Sequence, residues 1–379
     1  MIYLKKILFL IIILLIIFNF NLKLSANEIL CPNAKSAYLI EADSNTVIYA
    51  KNEDSKLPMA SMTKVMTLAL IYDAIKENKI SLNTKITCSE HAKSMGGSQV
   101  YLEVGEVHEL SEMLKCIAIA SANDCAVAVS EAIYGSEANF VNHMNEKAKE
   151  LGMINTHYVD VTGLSDENHY TSAKDMAVIS RYLVNNHPEI LALTNLKEAY
   201  FRENTDNPFW LVNTNKLIGK IEGVDGLKTG WTNKAGYCIT TTAIKNGMRI
   251  IGVVMGYDNP NIRNTEMIGL INYGFSNYER RLILPKGTII YNVLDRRYYS
   301  KNFNVVTLED VYLTVKKGSS KEDISWEIIM RPDYLKQNGI INLYYGDKDL
   351  GKVEFNSEVK IKKKSFIDLW LGIILDIFI

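Results

Sequence analysis

The sequence predicts an α/β (α+β) first domain, an antiparallel sheet of about five strands packed by helices, followed by a small C-terminal all-β domain. Two strand-like runs near the start, Ser36 to Ala42 and Thr46 to Asn52, are matched far downstream by Gly226 to Thr232, Tyr237 to Ile244 and Arg249 to Tyr257. Helical patterns fill the stretch between the two sets, so strands from both ends of the domain must meet in one sheet. Beyond Phe275 the texture changes to short alternating runs separated by Gly, Asn and Asp turns.

A chain of 379 residues, 47% of them hydrophobic, can bury a sizeable core and is long enough for two domains. Its formal net charge of -1 gives no footprint for nucleic acid, and no such partner is expected. Residues 1–26 read as a signal peptide: Lys5 and Lys6 precede an apolar run from Ile7 to Phe18, and Leu24-Ser25-Ala26 offers a small residue for cleavage. An uncleaved anchor is the alternative, and either way the body lies outside the cytoplasmic membrane. Cys31 follows Leu30, not the small residue of a lipoprotein signal. Cys31, Cys88, Cys116, Cys125 and Cys238 are odd in number and lack C-x-x-C spacing, so they read as small buried hydrophobes. Neither a metal nor a cofactor is expected.

The first two strands are joined by Asp43-Ser44-Asn45, a hairpin signal. Next comes Pro58-Met59-Ala60-Ser61-Met62-Thr63-Lys64, followed by the apolar run Val65 to Ile75. Pro58 suits a first helical turn, Asp54 or Ser55 can cap it, and no breaker occurs before Asn78, which predicts one helix over residues 58–77. Lys64 then lies one turn beyond Ser61 on the same face, within reach of its hydroxyl. A serine is a nucleophile only when a base takes its proton, and lysine can do this only as the neutral amine. That needs burial or a second nearby cation. Alone the spacing is a weak signal, because Ser357-Glu358-Val359-Lys360 repeats it by chance.

Asn83 to Gly105 is polar and broken, and Leu110 to Gly135 is helical in composition, with Ser111 as N-cap candidate and Gly135 as C-cap candidate. Ser121-Ala122-Asn123-Asp124 interrupts this region, so one helix is expected to end there and another to begin, with Ser121 and Asn123 facing one side. An N-cap pair is the plain alternative. Helical patterns follow around Phe140 to Leu151 and Ser172 to Asn185. His169, in the loop between them, reads as a structural residue ahead of a helix capped by Thr171 or Ser172. In the strand region, Lys228-Thr229-Gly230 offers a cation, a hydroxyl and, at the glycine, close approach to the backbone. Asn246-Gly247 is a two-residue hairpin turn.

The conjunction Ser61-x-x-Lys64, Ser121-x-Asn123 and Lys228-Thr229-Gly230, in this order, resembles the active site shared by penicillin-binding proteins and serine beta-lactamases. Within that group the chain is similar to low-molecular-mass penicillin-binding proteins of the D-alanyl-D-alanine carboxypeptidase type. The likeness extends over Ala37 to Ala42, Leu57 to Thr67, Gly163 to Ala177, Gly223 to Thr232 and Ala235-Gly236-Tyr237. The resemblance implies a fold of the penicillin-binding-protein type and removal of the terminal D-alanine from peptidoglycan stem peptides ending in D-Ala-D-Ala. It also implies each residue's part. Ser61 would be the nucleophile, Lys64 its base, Lys228 the second cation that helps keep Lys64 neutral, and Ser121 a proton relay. Asn123 would hold the substrate amide. The N–H groups of Ser61 and Trp231 would form the oxyanion hole beside Gly230, and Thr229 and Arg263 would bind the terminal carboxylate, Arg263 lying ahead of a helix that ends near Phe275.

Beta-lactams would then be inhibitors. No Glu-x-x-Leu-Asn segment lies between Asn123 and Lys228, so slow deacylation is expected in place of beta-lactamase activity. DD-endopeptidase action on cross-links and non-catalytic peptidoglycan binding are the other readings. The expected organisation is a signal at 1–26, a catalytic domain at 27–282, a small β-rich domain at 283–360 and an amphipathic anchor helix at 361–379. In that last segment Ser365, Asp368, Gly372 and Asp376 form one narrow stripe amid apolar residues, with Lys360, Lys362, Lys363 and Lys364 ahead of it for anionic headgroups. A core helix is the alternative. These features place the protein at the outer face of the cytoplasmic membrane.

Overall fold

In the computed structural model the described residues are 30–164, 167–294, 302–307, 309–320, 324–329, 338–345, 348–357 and 364–370. The expected signal segment at 1–26 lies outside them, as does most of the expected anchor segment at 361–379. The chain opens with β1 (Ser36–Glu41) and β2 (Val47–Lys51), a short 3-10 turn (Ala60–Thr63) and α1 (Lys64–Lys76). Then come β3 (Lys85–Thr87), α2 (Glu90–Lys93), β4 (Val107–Glu109), α3 (Leu110–Lys115), a π-helical turn (Cys116–Ala120), α4 (Asn123–Tyr134) and α5 (Glu137–Glu150). After α6 (Ala173–Asn186) and α7 (Leu191–Thr194), the hairpin β5 (Glu198–Phe201) and β6 (Phe209–Val212) precedes β7 (Val224–Thr232), β8 (Gly236–Lys245), β9 (Met248–Tyr257) and α8 (Pro260–Asn277).

The main sheet has the order β2-β1-β9-β8-β7, and every pairing in it is antiparallel. The first two strands thus join the last three, as expected. Both faces of the sheet are covered, and the strands alternate strictly between the two cores. Tyr38, Ile40, Ile251, Val253 and Met255 join the core built with α1, α4, α5 and α6. Ala37, Leu39, Ile250 and Val254 join the core under α8, with Met267, Leu270 and Ile271. Helix α1 buries Val65, Met66, Leu68, Ala69, Leu70, Ile71 and Tyr72, apolar all round because helices and sheet enclose it. At the Asn246-Gly247 turn, φ is 51° and 75°, the left-handed pair that a two-residue hairpin needs.

Three local expectations are corrected. The first helix starts at Lys64, not at 58: Leu57 and Thr171 exchange backbone bonds of 2.8 and 3.0 Å, which holds Pro58 outside the helix. Asp54 does not cap it but pairs with Lys174 and Asn155. Glu109, not Ser111, precedes α3, while Gly135 ends α4 in the left-handed conformation. At α6 the cap is Ser172, whose Oγ accepts from the Asp175 N–H.

Beyond α8, β10 (Tyr278–Leu284) pairs with β13 (Val311–Lys316), so the expected boundary at 283 falls inside a strand. A second five-stranded sheet combines β11 (Ile289–Leu294), β12 (Asn302–Val306), β16 (Lys348–Ser357), β15 (Asn338–Tyr345) and β14 (Ile324–Ile329) in that spatial order. Residues 366–370 are helical and capped by Ser365, whose Oγ accepts from the Asp368 N–H, and Phe366, Ile367 and Trp370 are exposed. Among the described residues no helix is long and apolar enough to cross a membrane.

Candidate active site

The turn before α1 carries Ser61. Ala60 enters it with φ +48°, and Gly163 from the loop after α5 lies flat against it. A Cβ on Gly163 would stand 1.9 Å from the Ala60 carbonyl oxygen, so only glycine fits. From the other side a Cβ on Gly230 would come within 2.7 Å of the Met59 oxygen and 3.0 Å of the Ser61 nitrogen. Strand β7 therefore presses its backbone onto the turn, as the close-approach reading of Gly230 requires.

Lys64 is fully buried. Its Nζ donates to Ser61 Oγ at 3.2 Å, Asn123 Oδ1 at 2.6 Å and the Thr162 carbonyl at 2.7 Å. Three acceptors match the three protons of an ammonium. When one proton is lost, the two shorter bonds can keep the remaining N–H groups, which leaves the lone pair facing Ser61. Burial pulls the Lys64 ammonium down to about 7, against the upward draw of Asp160 and then Asp124. Lys228, also buried, is held well below its usual range, first by burial and then by the charges of Lys64 and Arg263. Burial is thus the leading cause at both lysines, and the repulsion expected to act on Lys64 is felt at Lys228.

Ser121 ends the π-helical turn at φ +66°, and its buried Oγ has no hydrogen-bond partner among the described residues. Asn123, two residues on, is occupied at both ends of its amide: Oδ1 serves Lys64, and Nδ2 donates to the Gly96 carbonyl at 2.6 Å. Its first task is orienting Lys64, and one N–H of the amide remains for a substrate. On β7, Lys228 Nζ donates to the Thr229 carbonyl at 3.0 Å, and Thr229 Oγ1 donates to Thr214 Oγ1 at 2.8 Å. Trp231 is 53% exposed and lies 5.8 Å from the Tyr237 ring. Arg263 lies inside the first turn of α8, not ahead of the helix. It is 5% exposed, and its Nη1 donates to the carbonyl of Cys238, the β8 residue paired with Gly230.

His169 has the structural place expected of it. Its Nδ1 accepts from the Val159 N–H at 3.1 Å, so Nε2 carries the proton to Thr63 Oγ1 at 2.7 Å, and that hydroxyl donates to the Ala60 carbonyl. The five cysteines are buried and unpaired. Among the described residues no cluster of His, Cys, Asp and Glu could hold a metal.

Several groups at the site escaped the sequence reading. The Thr162 carbonyl is a backbone atom 98 residues from Lys64. Asp124 anchors the loop at 100–102 through the N–H groups of Val100 and Leu102. Thr214 is fixed between Asn213, which bonds the carbonyls of Thr194 and Leu196, and Asn215, which bonds that of Gly226. The signal available was Asn-Thr-Asn a short way upstream of the Lys-Thr-Gly strand, two turn-forming amides around a hydroxyl.

Comparison with known proteins gives the same family from three directions. A family profile described as D-alanyl-D-alanine carboxypeptidase (peptidase S11) matches residues 24–259. The D-alanyl-D-alanine carboxypeptidase DacF of Bacillus subtilis (strain 168) is 46% identical over 80% of this chain and 77% of its own length. The crystal structure of penicillin binding protein 5 from Haemophilus influenzae is 27% identical, covers 87% of this chain and 98% of that one, and superposes with a TM-score of 0.76. Penicillin-binding protein D2 from Listeria monocytogenes, in its ampicillin-bound form, is 30% identical and covers 64% of this chain and 97% of that one, with a TM-score of 0.58.

Proposed function

The chain belongs to the D-alanyl-D-alanine carboxypeptidase family, serine peptidases and penicillin-binding proteins that act on the cell wall. From that premise we propose the residues and steps by which it removes the terminal D-alanine from peptidoglycan stem peptides ending in D-Ala-D-Ala. The observation that carries the proposal is the buried Lys64 amine at 3.2 Å from Ser61 Oγ, with its two other bonds fixed by Asn123 and Thr162.

Neutral Lys64 takes the Ser61 proton as Oγ attacks the carbonyl carbon of the penultimate D-alanine. The oxyanion that forms is held by the N–H groups of Ser61 and Trp231, each worth on the order of 3 kcal/mol by analogy with other oxyanion holes. The proton then passes through Ser121 to the departing amine of the terminal D-alanine. The C–N bond breaks, and an ester joins the remaining peptide to Ser61. Water, deprotonated by Lys64, hydrolyses the ester. Lys228, Thr229 and Arg263 bind the terminal carboxylate, and the unbonded N–H of Asn123 holds the backbone amide. A beta-lactam enters as a mimic of the scissile amide and stays as a slowly hydrolysed ester.

Export by residues 1–26 brings the catalytic domain to its substrate, and the β-rich strands that follow act as a spacer above the membrane. Phe366, Ile367 and Trp370, capped by Ser365, begin an amphipathic helix lying in the outer face of the cytoplasmic membrane.

The test is intact-mass analysis of the full-length protein after brief exposure to benzylpenicillin, alongside D-alanine release from a stem peptide ending in D-Ala-D-Ala. The expected result is an adduct at Ser61 together with release. An adduct without release would replace the carboxypeptidase reading by an endopeptidase or binding one, and neither adduct nor release in folded protein would overturn the site.

A further inference from the structure

The loop that supplies the Thr162 carbonyl to Lys64 is organised by one side chain. Asp160 Oδ1 accepts from the Thr162 N–H at 2.7 Å, from Thr162 Oγ1 at 2.8 Å and from the Gly163 N–H. These bonds tie down both sides of the peptide unit whose oxygen faces Lys64 at 2.7 Å. The same unit is also hemmed in where Gly163 packs against the backbone of Ala60. We propose that Asp160 is a positioning residue for the catalytic lysine: it holds the Thr162 carbonyl against Nζ and thereby aims the amine lone pair at Ser61.

The inference deepens the function proposed above and rests on Lys64 being the base. With Asn123 Oδ1 and Thr162 O both held in place, the neutral amine has only Ser61 Oγ left to face its lone pair. Released from Asp160, the carbonyl can swing away, the amine can rotate, and the near-attack geometry is lost. The carboxylate also acts through charge. Asp160 is the leading influence that favours the protonated form of Lys64 against burial. The groups facing Lys64 from the packed elements are Asp160 on this loop, Asp124 on α4 and Lys228 on β7, with Arg263 of α8 behind Lys228. His169 lies 3.6 Å from Asp160 Oδ2. Asp124 is distinct in its task, because its oxygens hold the N–H groups of Val100, Leu102 and Cys125 and none at the Thr162 turn.

Asp160 keeps 22% of its side chain exposed, so it can be changed without opening the core. Asp160→Asn retains an oxygen that can accept from Thr162 and Gly163 but removes the charge, whereas Asp160→Ala removes both. The full-length wild type and both variants are followed by NMR of lysine labelled at Cε, with the Lys64 signal identified by its absence in Lys64→Arg. Acylation by a chromogenic cephalosporin is measured across pH in parallel.

In Asp160→Asn the Lys64 titration and the acid limb of acylation move together to lower pH by about half a unit or more, with the plateau within about twofold of wild type. In Asp160→Ala the plateau falls at least about tenfold. A Lys64 titration and acid limb unchanged in Asp160→Asn, or a wild-type plateau in Asp160→Ala, would overturn the proposal. If Asp160→Ala does not fold, Asp160→Ser, whose shorter side chain cannot hold both the Thr162 and Gly163 N–H groups, takes its place with the same expected fall in the plateau. The NMR titration needs no turnover, so a wild type without acylation or D-alanine release would sink the functional reading while Asp160 is still judged.

Discussion

Two walls face each other across the cleft, and each contributes one buried lysine. On the helical wall Lys64 meets three acceptors, two of them fixed by their own hydrogen bonds, and its charge is drawn down to about 7. On the strand wall Lys228 makes one hydrogen bond among the described residues, 3.0 Å to the Thr229 carbonyl, and stands with Arg263 and the Thr229 hydroxyl. The difference teaches that burial alone does not assign a lysine its work. Where acceptors outnumber what a neutral amine needs, the lone pair is steered and the residue suits proton transfer. Where cations gather without a carboxylate, the wall is prepared for an anion that arrives with the substrate.

The comparison can be broken most sharply at Lys64. Lys64→Met is expected to lower beta-lactam acylation by about 10²- to 10⁴-fold, the range of a lost general base, in rapid-mixing kinetics. Gly163→Ala comes next, because its Cβ would meet the Ala60 oxygen at 1.9 Å and backbone cannot step aside. Urea unfolding should report a loss of about 3 kcal/mol or more. Lys228→Met should lower kcat/KM for the stem peptide by about 100-fold, mainly through KM, if the strand wall binds charge.

The pH dependence sharpens the contrast further. Acylation should rise about tenfold per pH unit on the acid side and level off above about 7, where Lys64 becomes neutral. The sign for stability follows from linkage. The folded value of about 7 lies below the ordinary 10.5, so between those limits the unfolded chain binds more protons and stability rises with pH. Melting curves of the wild type should show that rise more steeply than those of Lys64→Met. The smallest effect belongs to Thr214→Val, which removes the acceptor of the Thr229 hydroxyl. It should raise KM about fivefold, the equivalent of a hydrogen bond worth about 1 kcal/mol.

How much of this was legible in the sequence depended on whether side chains or backbone carry the task. Ser61, Lys64, Asn123 and Lys228 stand out because the proposed chemistry needs those side chains at short spacings; Lys64 lies within hydrogen-bond reach of Ser61 and Asn123, and its charge is felt at Lys228. The two hairpins and the five strands of the main sheet also follow from local alternation and turn residues, whereas the pairing of β1 with β9 that sets their order is long-range. The start of α1 was misread because cap rules are local, and a bridge to Thr171, more than a hundred residues away, overrides them. That the expected boundary at 283 falls inside a strand has the same cause, since β10 finds its partner in β13 across an intervening stretch. The Thr162 carbonyl was illegible in kind: any residue type supplies a carbonyl, and only the surrounding Asp160 and Gly163 mark which one is used.

The turn that bears Ser61 is seated between two glycines, Gly163 and Gly230, whose missing side chains bring main chain onto main chain. A joint made this way has no adjustable parts. Side-chain substitution cannot fine-tune it, since every other residue is too large at both positions. A population of bacteria under beta-lactam pressure would therefore find few viable changes in the seat of the proposed nucleophile. Escape variants should collect along the cleft's outer lip, near exposed positions such as Trp231, where the inhibitor's bulk and the stem peptide's slenderness can be told apart.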